Sequence, residues 1–259
     1  MRTRVYRSRA VDRAVEVVRV VGDHPSGLSL ADVGRETGIP LSTLLAILGT
    51  LEERSIVRQL PSRAYTLDVG ILHLSLPYTE GIGFGVRFHE VASELVRTFN
   101  ETVQLGILTG AEVVYVARQE SSEPVRLAGR VGRRVPAHAS AAGKALLSGL
   151  EPRALRRVLG PDPLPKLTAR TLSRYRDLER DLDRVRASGI AEAIEECTRG
   201  LHCLASPIEG SAGSQAFSIV ISTPTFRMTP SKRARIAERI AAAAKELSGS
   251  ANALSEIGA

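Results

Sequence analysis

The sequence predicts an α+β chain, an N-terminal winged helix-turn-helix followed by a larger domain of antiparallel sheet and helices. Three observations carry that reading. Residues 29–51, SLADVGRETGIPLSTLLAILGTL, form two helix-like segments meeting at a turn that contains glycine. Two strand-like runs follow at once around Leu60-Pro61-Ser62-Arg63, as in a β-hairpin. Beyond the glycine-rich piece Glu80-Gly81-Ile82-Gly83-Phe84-Gly85, strand-like and helix-like segments alternate to the end. Boundaries are expected at 1–67 for the first domain, 68–85 for a linker and 86–259 for the second domain.

The first domain begins with a basic arm. Arg2, Arg4, Arg7 and Arg9 all precede the first acid, and such an arm can displace counterions from phosphates. Residues 9–22 predict an amphipathic helix with Val11, Ala14, Val15, Val18 and Val21 on one side. Ser29 is placed to cap the next helix, with Asp32 at capping-box spacing. Gly38 can take the left-handed conformation of a helix stop, and Ile39-Pro40 turns the corner. A second helix from Leu41 carries Leu44, Leu45, Leu48 and Leu51 at helical spacing. In a helix-turn-helix this second helix can enter a DNA major groove. Residues 56–59 and 64–67 then make the wing, with Arg58 and Arg63 able to meet phosphates or the minor groove. Residues 68–78 can leave the wing as a helix. The DNA-facing candidates are therefore Arg2, Arg4, Arg7 and Arg9 in the arm, Ser29, Ser42, Thr43 and Thr50 in the helices, and Arg58, Arg63 and Tyr65 in the wing.

In the second part, residues 86–98 predict a helix with Phe88, Val91, Leu95 and Phe99 along one stripe. Residues 103–108 and 113–117 read as strands paired across Thr109-Gly110-Ala111, with a short third strand at 124–127. Helices are expected at 139–147, 152–159 and 173–187, strands at 190–193, 201–208 and 215–223, and a terminal helix from Pro230 to about Leu247. Sheet-plus-helix domains of this size often hold a small ligand between layers.

Composition narrows the classes. With 43% hydrophobic and 24% charged residues the chain has an ordinary globular balance. No apolar run is long enough for a membrane span, and the basic N-terminus runs into an amphipathic helix rather than a secretory core. Cys197 and Cys203 are too few for a disulfide framework and fit a reducing cytoplasm. The net charge of +7 suggests a polyanionic partner but does not locate it, because residues 1–80 balance ten arginines against nine acids. The excess lies further on, where Arg118, Arg126, Arg130, Arg133 and Arg134 cluster.

Taken in order, these segments resemble the IclR-type bacterial transcriptional regulators over about residues 11–247. The first domain carries the resemblance in LSLADVGRETGIPLSTLLAILGTLEE and Tyr65-Thr66-Leu67. The second carries it in GRRVPAHASAAGKALL at 132–147, in Gly189 with Glu195-Glu196, Gly200 and CLASPI at 203–208, and in IVISTP at 219–224. The resemblance implies a winged-helix domain, a linker helix and a GAF-like effector-binding domain. It also implies a homodimer or tetramer that binds operator DNA and responds to small metabolites, often organic or aromatic acids. It implies no catalytic residue and no cofactor.

Departures from the family pattern matter. Leu41 and Ala46 stand where members commonly carry a basic residue, so the recognition helix has no arginine before Arg54. Either Ser42, Thr43 and the wing supply specificity, or the arm and DNA shape do, or DNA binding is weak or lost and the chain senses a ligand through protein partners. By resemblance the effector positions are Leu127, Ala137, Ala139, Ala141, Ala142, Ala193, Cys203, Val220 and Ser222. Small residues and Gly143 at a helix start could admit a carboxylate to backbone N–H groups, or could simply allow close packing on the sheet. Ala193 and Val220 replace the aspartate and serine of members that bind small keto acids. A larger or more apolar effector than glyoxylate or pyruvate is therefore expected.

Two other chemistries are weighed and set aside. Glu195, Glu196, Cys197, His202 and Cys203 invite a metal reading, but His202 and Cys203 are strand neighbours that point to opposite faces. Cys203 with His138 or His202 could form a thiol–imidazole pair, yet an apolar strand keeps a thiol protonated.

Overall fold

The structure, a computed structural model, describes residues 8–71, 74, 84–124, 131–209 and 217–255, with side chains described as far as residue 248. The chain divides into two compact units, Met1–Glu80 and Gly81–Ala259.

The first unit contains α1 (Arg9–Gly22), α2 (Leu30–Thr37), α3 (Leu41–Glu53), β1 (Val57–Gln59) and β2 (Tyr65–Leu67). Ser29 caps α2. Its hydroxyl accepts the Asp32 N–H at 3.2 Å and donates to Asp32 Oδ2 at 2.6 Å. Gly38 ends α2 at φ +65°, a conformation that glycine adopts without a Cβ clash. The wing is an antiparallel pair with Arg58 opposite Thr66. Its turn closes through Leu60 N–H to Ala64 O and Arg63 N–H to Leu60 O, with Arg63 itself left-handed.

Val17, Val21, Val33, Leu44, Leu48 and Val57 are fully buried at the centre of this unit. Each such side chain contributes about 1.5–3 kcal/mol by leaving water. Two expectations are corrected here. Of the predicted side of α1 Val21 is buried, but Val11 and Val15 are exposed, because the helix is apolar over a broad arc and the core takes the part around Val17, Val20 and Val21. Leu45, grouped with the inward leucines by spacing, is 50% exposed, because it lies on the outer side of α3.

The second unit opens with α4 (Phe84–Phe99), β3 (Thr102–Thr109), β4 (Glu112–Gln119) and β5 (Arg134–Pro136). A 3-10 turn (Ala137–Ala139) leads into α5 (Ala141–Leu147), α6 (Pro152–Leu159) and α7 (Tyr175–Ser188). β6 (Ala191–Ile194), β7 (Leu201–Ile208) and β8 (Phe217–Pro224) follow, then a second 3-10 turn (Thr225–Arg227) and α8 (Pro230–Ser255). The six strands form one antiparallel sheet in the order β5-β4-β3-β8-β7-β6.

Alternation along the strands gives the sheet two faces. Val103, Leu105, Ile219 and Ile221 pack with Phe88 and Leu95 of α4 and Ile236 and Ile240 of α8. Val113, Tyr115, Ala205 and Val220 face the other way, toward Ala141, Ala142 and Ala145 of α5 and Leu178 and Leu182 of α7. This is the helix-flanked antiparallel sheet expected. The strand expected at 124–127 falls largely outside the described residues, and the strand beside β4 is Arg134–Pro136. The helix expected at 139–147 is broken at Ser140, whose hydroxyl accepts the Gly143 N–H at 3.1 Å and caps α5.

Candidate functional site

In the first unit, α3 turns Leu41, Ser42, Leu45, Ala46, Gly49 and Thr50 outward, and none of these carries charge. The Thr50 hydroxyl donates to Ala46 O at 2.9 Å, and its oxygen keeps accepting capacity. Thr43 is half-buried in a groove against Val11 and Ala14 of α1, which Ala46 and Thr50 also line. Ser29 is surface-exposed, but its hydroxyl is engaged with Asp32. Arg9, Arg58 and Arg63 are exposed, and Arg58 stands 3.9 Å from Asp68. Arg2, Arg4 and Arg7 lie outside the described residues. Tyr65 must be corrected. It is 6% exposed and packs in the core, where its backbone pairs with Leu28 in both directions, so it presents no surface to DNA.

In the second unit a small cleft of about 30 Å³ lies on the α5 side of the sheet. Ala139, Ala141, Ala193, Cys203 and Ser222 line it, as do Tyr115, Arg133, Val135, Ser140, Glu196, Cys197, Thr198 and Leu201. Ala137, Ala142 and Val220 are buried but are not part of the lining. Leu127 lies outside the described residues.

The electrostatics of the cleft come from Arg133 and Glu196, which the sequence placed in an arginine cluster and a metal-like group but not among the effector positions. Burial raises the Tyr115 hydroxyl and the Cys203 thiol, and the cation that Arg133 brings opposes that rise. Glu196 brings a carboxylate that is 8% exposed. Lys144, on α5 and 1% exposed, donates to Glu196 Oε1 and to Asp181 Oδ2, each at 2.7 Å. Glu196 Oε2 makes no hydrogen bond. Burial pushes the Glu196 carboxyl above its usual range and outweighs the opposing pull of Lys144. A backbone hydrogen bond from the Ile194 N–H also lowers it.

The loop that carries Glu196 is held tightly. Thr168 and Thr171 hydroxyls donate to the Glu195 and Glu196 carbonyls, each at 2.7 Å. Glu195 takes a left-handed conformation, and its Oε1 accepts the Gly200 N–H at 2.6 Å. Ligand-facing groups on such a loop are pre-positioned. The expectation of a largely apolar pocket is therefore tempered. Val220 lies behind the wall, and two charged groups stand in it.

The start of α5 offers less than its sequence promised. Its Gly143 N–H is taken by Ser140, and Gly143 is required because a Cβ there would sit 2.1 Å from Ala137 O.

The thiol chemistry is quiet. Cys203 Sγ donates to Ser222 Oγ at 3.4 Å, and burial pushes its pKa up to about 11, so the thiol stays protonated. His202 points away from the cleft, to Glu192 Oε1 at 2.6 Å. His138 is turned to Pro165 O at 2.8 Å. Among the described residues no cluster of His, Cys, Asp and Glu could hold a metal ion, and no helix is long and apolar enough to cross a membrane.

Comparison with known proteins agrees with both units. Residues 79–249 match the family model described as bacterial transcriptional regulator IclR C-terminal, and residues 10–61 match the IclR helix-turn-helix domain. The HTH-type transcriptional regulator BhcR of Paracoccus denitrificans is 32% identical over 241 residues, covering 93% of this chain and 86% of that protein. The HTH-type transcriptional repressor AllR of Klebsiella pneumoniae is 30% identical over 245 residues, covering 93% and 89%. An IclR homologue from Microbacterium hydrocarbonoxydans, solved with 4-hydroxybenzoate, superposes with a TM-score of 0.80 over 93% of this chain and 99% of its own. At 21% identity that likeness speaks for the fold.

Proposed function

The chain belongs to the IclR family of bacterial transcriptional regulators, and from that premise we propose that it is an effector-controlled operator-binding protein working as a dimer or tetramer in the cytoplasm. The observation that carries the effector reading is the cleft, whose lining joins the cation of Arg133 and the hydroxyls of Ser222 and Tyr115 to an apolar wall of Ala139, Ala141 and Val135. That combination suits a small organic acid with an apolar body. The Microbacterium neighbour is complexed with an acid of this class.

The mechanism is linkage. An acid that binds one arrangement of the protein better than another shifts the DNA-binding equilibrium by that difference, and DNA reciprocally shifts acid affinity. Two winged helices per dimer call for a pseudo-palindromic operator. Ser42 and Thr50 are the polar groups that α3 offers to bases, while Arg9, Arg58, Arg63 and the basic arm supply phosphate contacts.

One observation favours a second reading, a ligand sensor acting through protein partners: the outward face of α3 carries no cation. Anisotropy titration of DNA from upstream of the gene, at graded salt and with and without a panel of acids, separates the two. Operator binding gives a log K that falls linearly with log salt and moves when an acid is added. No binding at any salt would favour the partner reading.

A further inference from the structure

We propose that the groove between α1 and α3 is a second ligand site, one that takes a small amphipathic anion with a flat apolar body. The site lies wholly within the first unit and is independent of the cleft in the second.

The groove holds about 440 Å³. Pockets that take small organic ligands hold roughly 300–1,000 Å³ and are lined mostly by apolar groups. The space exists because small side chains line it from both helices, Ala10 and Ala14 from α1 and Ala46 from α3. Val11, Ile47 and Leu51 complete an apolar wall, and Val11 is left 60% exposed at its edge.

One charge stands in that lining, Arg13. It is half-buried, and the acid three residues on, Glu16, bonds Arg19 instead. Among the described residues no carboxylate pairs with Arg13. A cation partly withdrawn from water beside an apolar wall, with no protein counterion, complements a ligand that is anionic at one end and apolar over the rest. The Thr50 hydroxyl already donates to Ala46 O, which leaves Arg13 and Thr43 to bond the anion.

A ligand seated there lies against Ala46 and Thr50, which α3 also turns outward, so ligand and DNA compete for one flank of the helix. That consequence rests on the operator-binding reading; the site itself does not.

The test titrates the full-length chain, without DNA, with anilinonaphthalene sulfonate and with its neutral counterpart phenylnaphthylamine, read by fluorescence. The sulfonate should bind roughly tenfold more tightly, the value of one charge-assisted bond. Arg13→Ala should erase that advantage and leave the neutral dye unchanged. Ala14→Phe, which fills the groove, should abolish binding of both. Should Ala14→Phe fail to fold, Arg13→Ala decides alone. Equal affinity of the two dyes, or an Ala14→Phe protein that binds them as before, overturns the site. If Ala14→Phe instead halves the mass of the assembly in sedimentation, a second copy of the chain fills the groove and the ligand is overturned. Upstream DNA should displace the sulfonate, and dye that stays in place at saturating DNA overturns the competition.

Discussion

Replacing Lys144 with methionine removes the cation from a buried triad while nearly preserving its volume. The ammonium is 1% exposed and sits 2.7 Å from one oxygen each of Asp181 and Glu196. Removing one partner of a buried ion pair typically costs 3–5 kcal/mol, because the charge left behind has lost both water and its counterion. Here the loss should fall near the lower end, about 3–4 kcal/mol, since Asp181 keeps Arg184 as a partner. For a unit of this size that corresponds to roughly a 10 °C fall in Tm, read by calorimetry or circular dichroism.

The pH dependence gives the sharper check. The Glu196 carboxyl is already held above its usual range by burial, and without Lys144 it should rise further. A carboxyl with a raised folded pKa favours the folded state most at pH values below its unfolded pKa. That contribution is lost as pH rises through the folded value. The deficit of Lys144→Met should therefore be full above the raised folded value, shrink as pH falls through it, and level off below about pH 4.5. Adding Glu196→Leu should recover at least half of it, since an apolar pair can replace a buried ion pair. A Lys144→Met protein within about 1 kcal/mol of the parent across pH 5–8 would refute the triad as the element that holds the cleft wall.

Three further outcomes follow from single positions. Gly49 is exposed within α3, and a Cβ there meets nothing within 4 Å, so Gly49→Ala should stabilise the first domain by about 0.5–1 kcal/mol in a urea titration. If DNA backbone or bases approach that glycine closely, the same variant should bind operator more weakly while unfolding later. Gly143→Ala should destabilise the second domain by about 3 kcal/mol or more, or yield insoluble protein, because the new methyl overlaps the Ala137 carbonyl. Glu192 is pushed up by burial, but hydrogen bonds from His202 and Arg233 outweigh this and hold it at about 2. Its folded pKa is depressed, so its contribution, at most roughly 3 kcal/mol, is present above about pH 4.5 and lost as pH falls toward 2. Glu192→Gln should therefore be less stable than the parent at pH 7 and converge with it near pH 2.

What the sequence made legible is the chemistry that neighbours in the chain perform on one another. The Ser29 cap, the Gly38 stop and the wing hairpin each depend on residues a few positions apart, and each appears where the spacing put it. The Phe88–Leu95 stripe was legible because α4 has a single apolar side. α1 is apolar over a broader arc, and periodicity could not say which part the core would take, so Val11 and Val15 were grouped with the buried Val21 and lie outside. The charged part of the cleft failed for another reason. Arg133 and Glu196 come from segments far apart in the chain, beside the two edge strands β5 and β6, and share only the lining of one cleft. Both residues sat inside the blocks that carried the family resemblance. A signal was available in GRR at 132–134 and in the adjacent Glu195-Glu196 pair, but nothing local marks one arginine or one glutamate as cleft-facing.

The outward face of α3 separates two tasks that many recognition helices combine. With Ser42, Ala46, Gly49 and Thr50 there, this face offers small side chains, hydroxyls and bare backbone, and no cation. Such a face can lie close to the floor of a major groove. Methyl and hydroxyl groups can discriminate thymine methyls and base edges there, each contact being weaker than a bidentate arginine on guanine. Phosphate attraction must then come from Arg9, Arg58, Arg63 and the arm. These two contributions should be separable by mutation. Arg63→Ala should weaken binding to every DNA about equally and lower the salt slope by about one, whereas Ser42→Ala should leave the slope unchanged and relax preference at one base position. If Arg63→Ala instead altered sequence preference with the slope unchanged, the wing would be reading bases, and the division of labour inferred from α3 would be wrong.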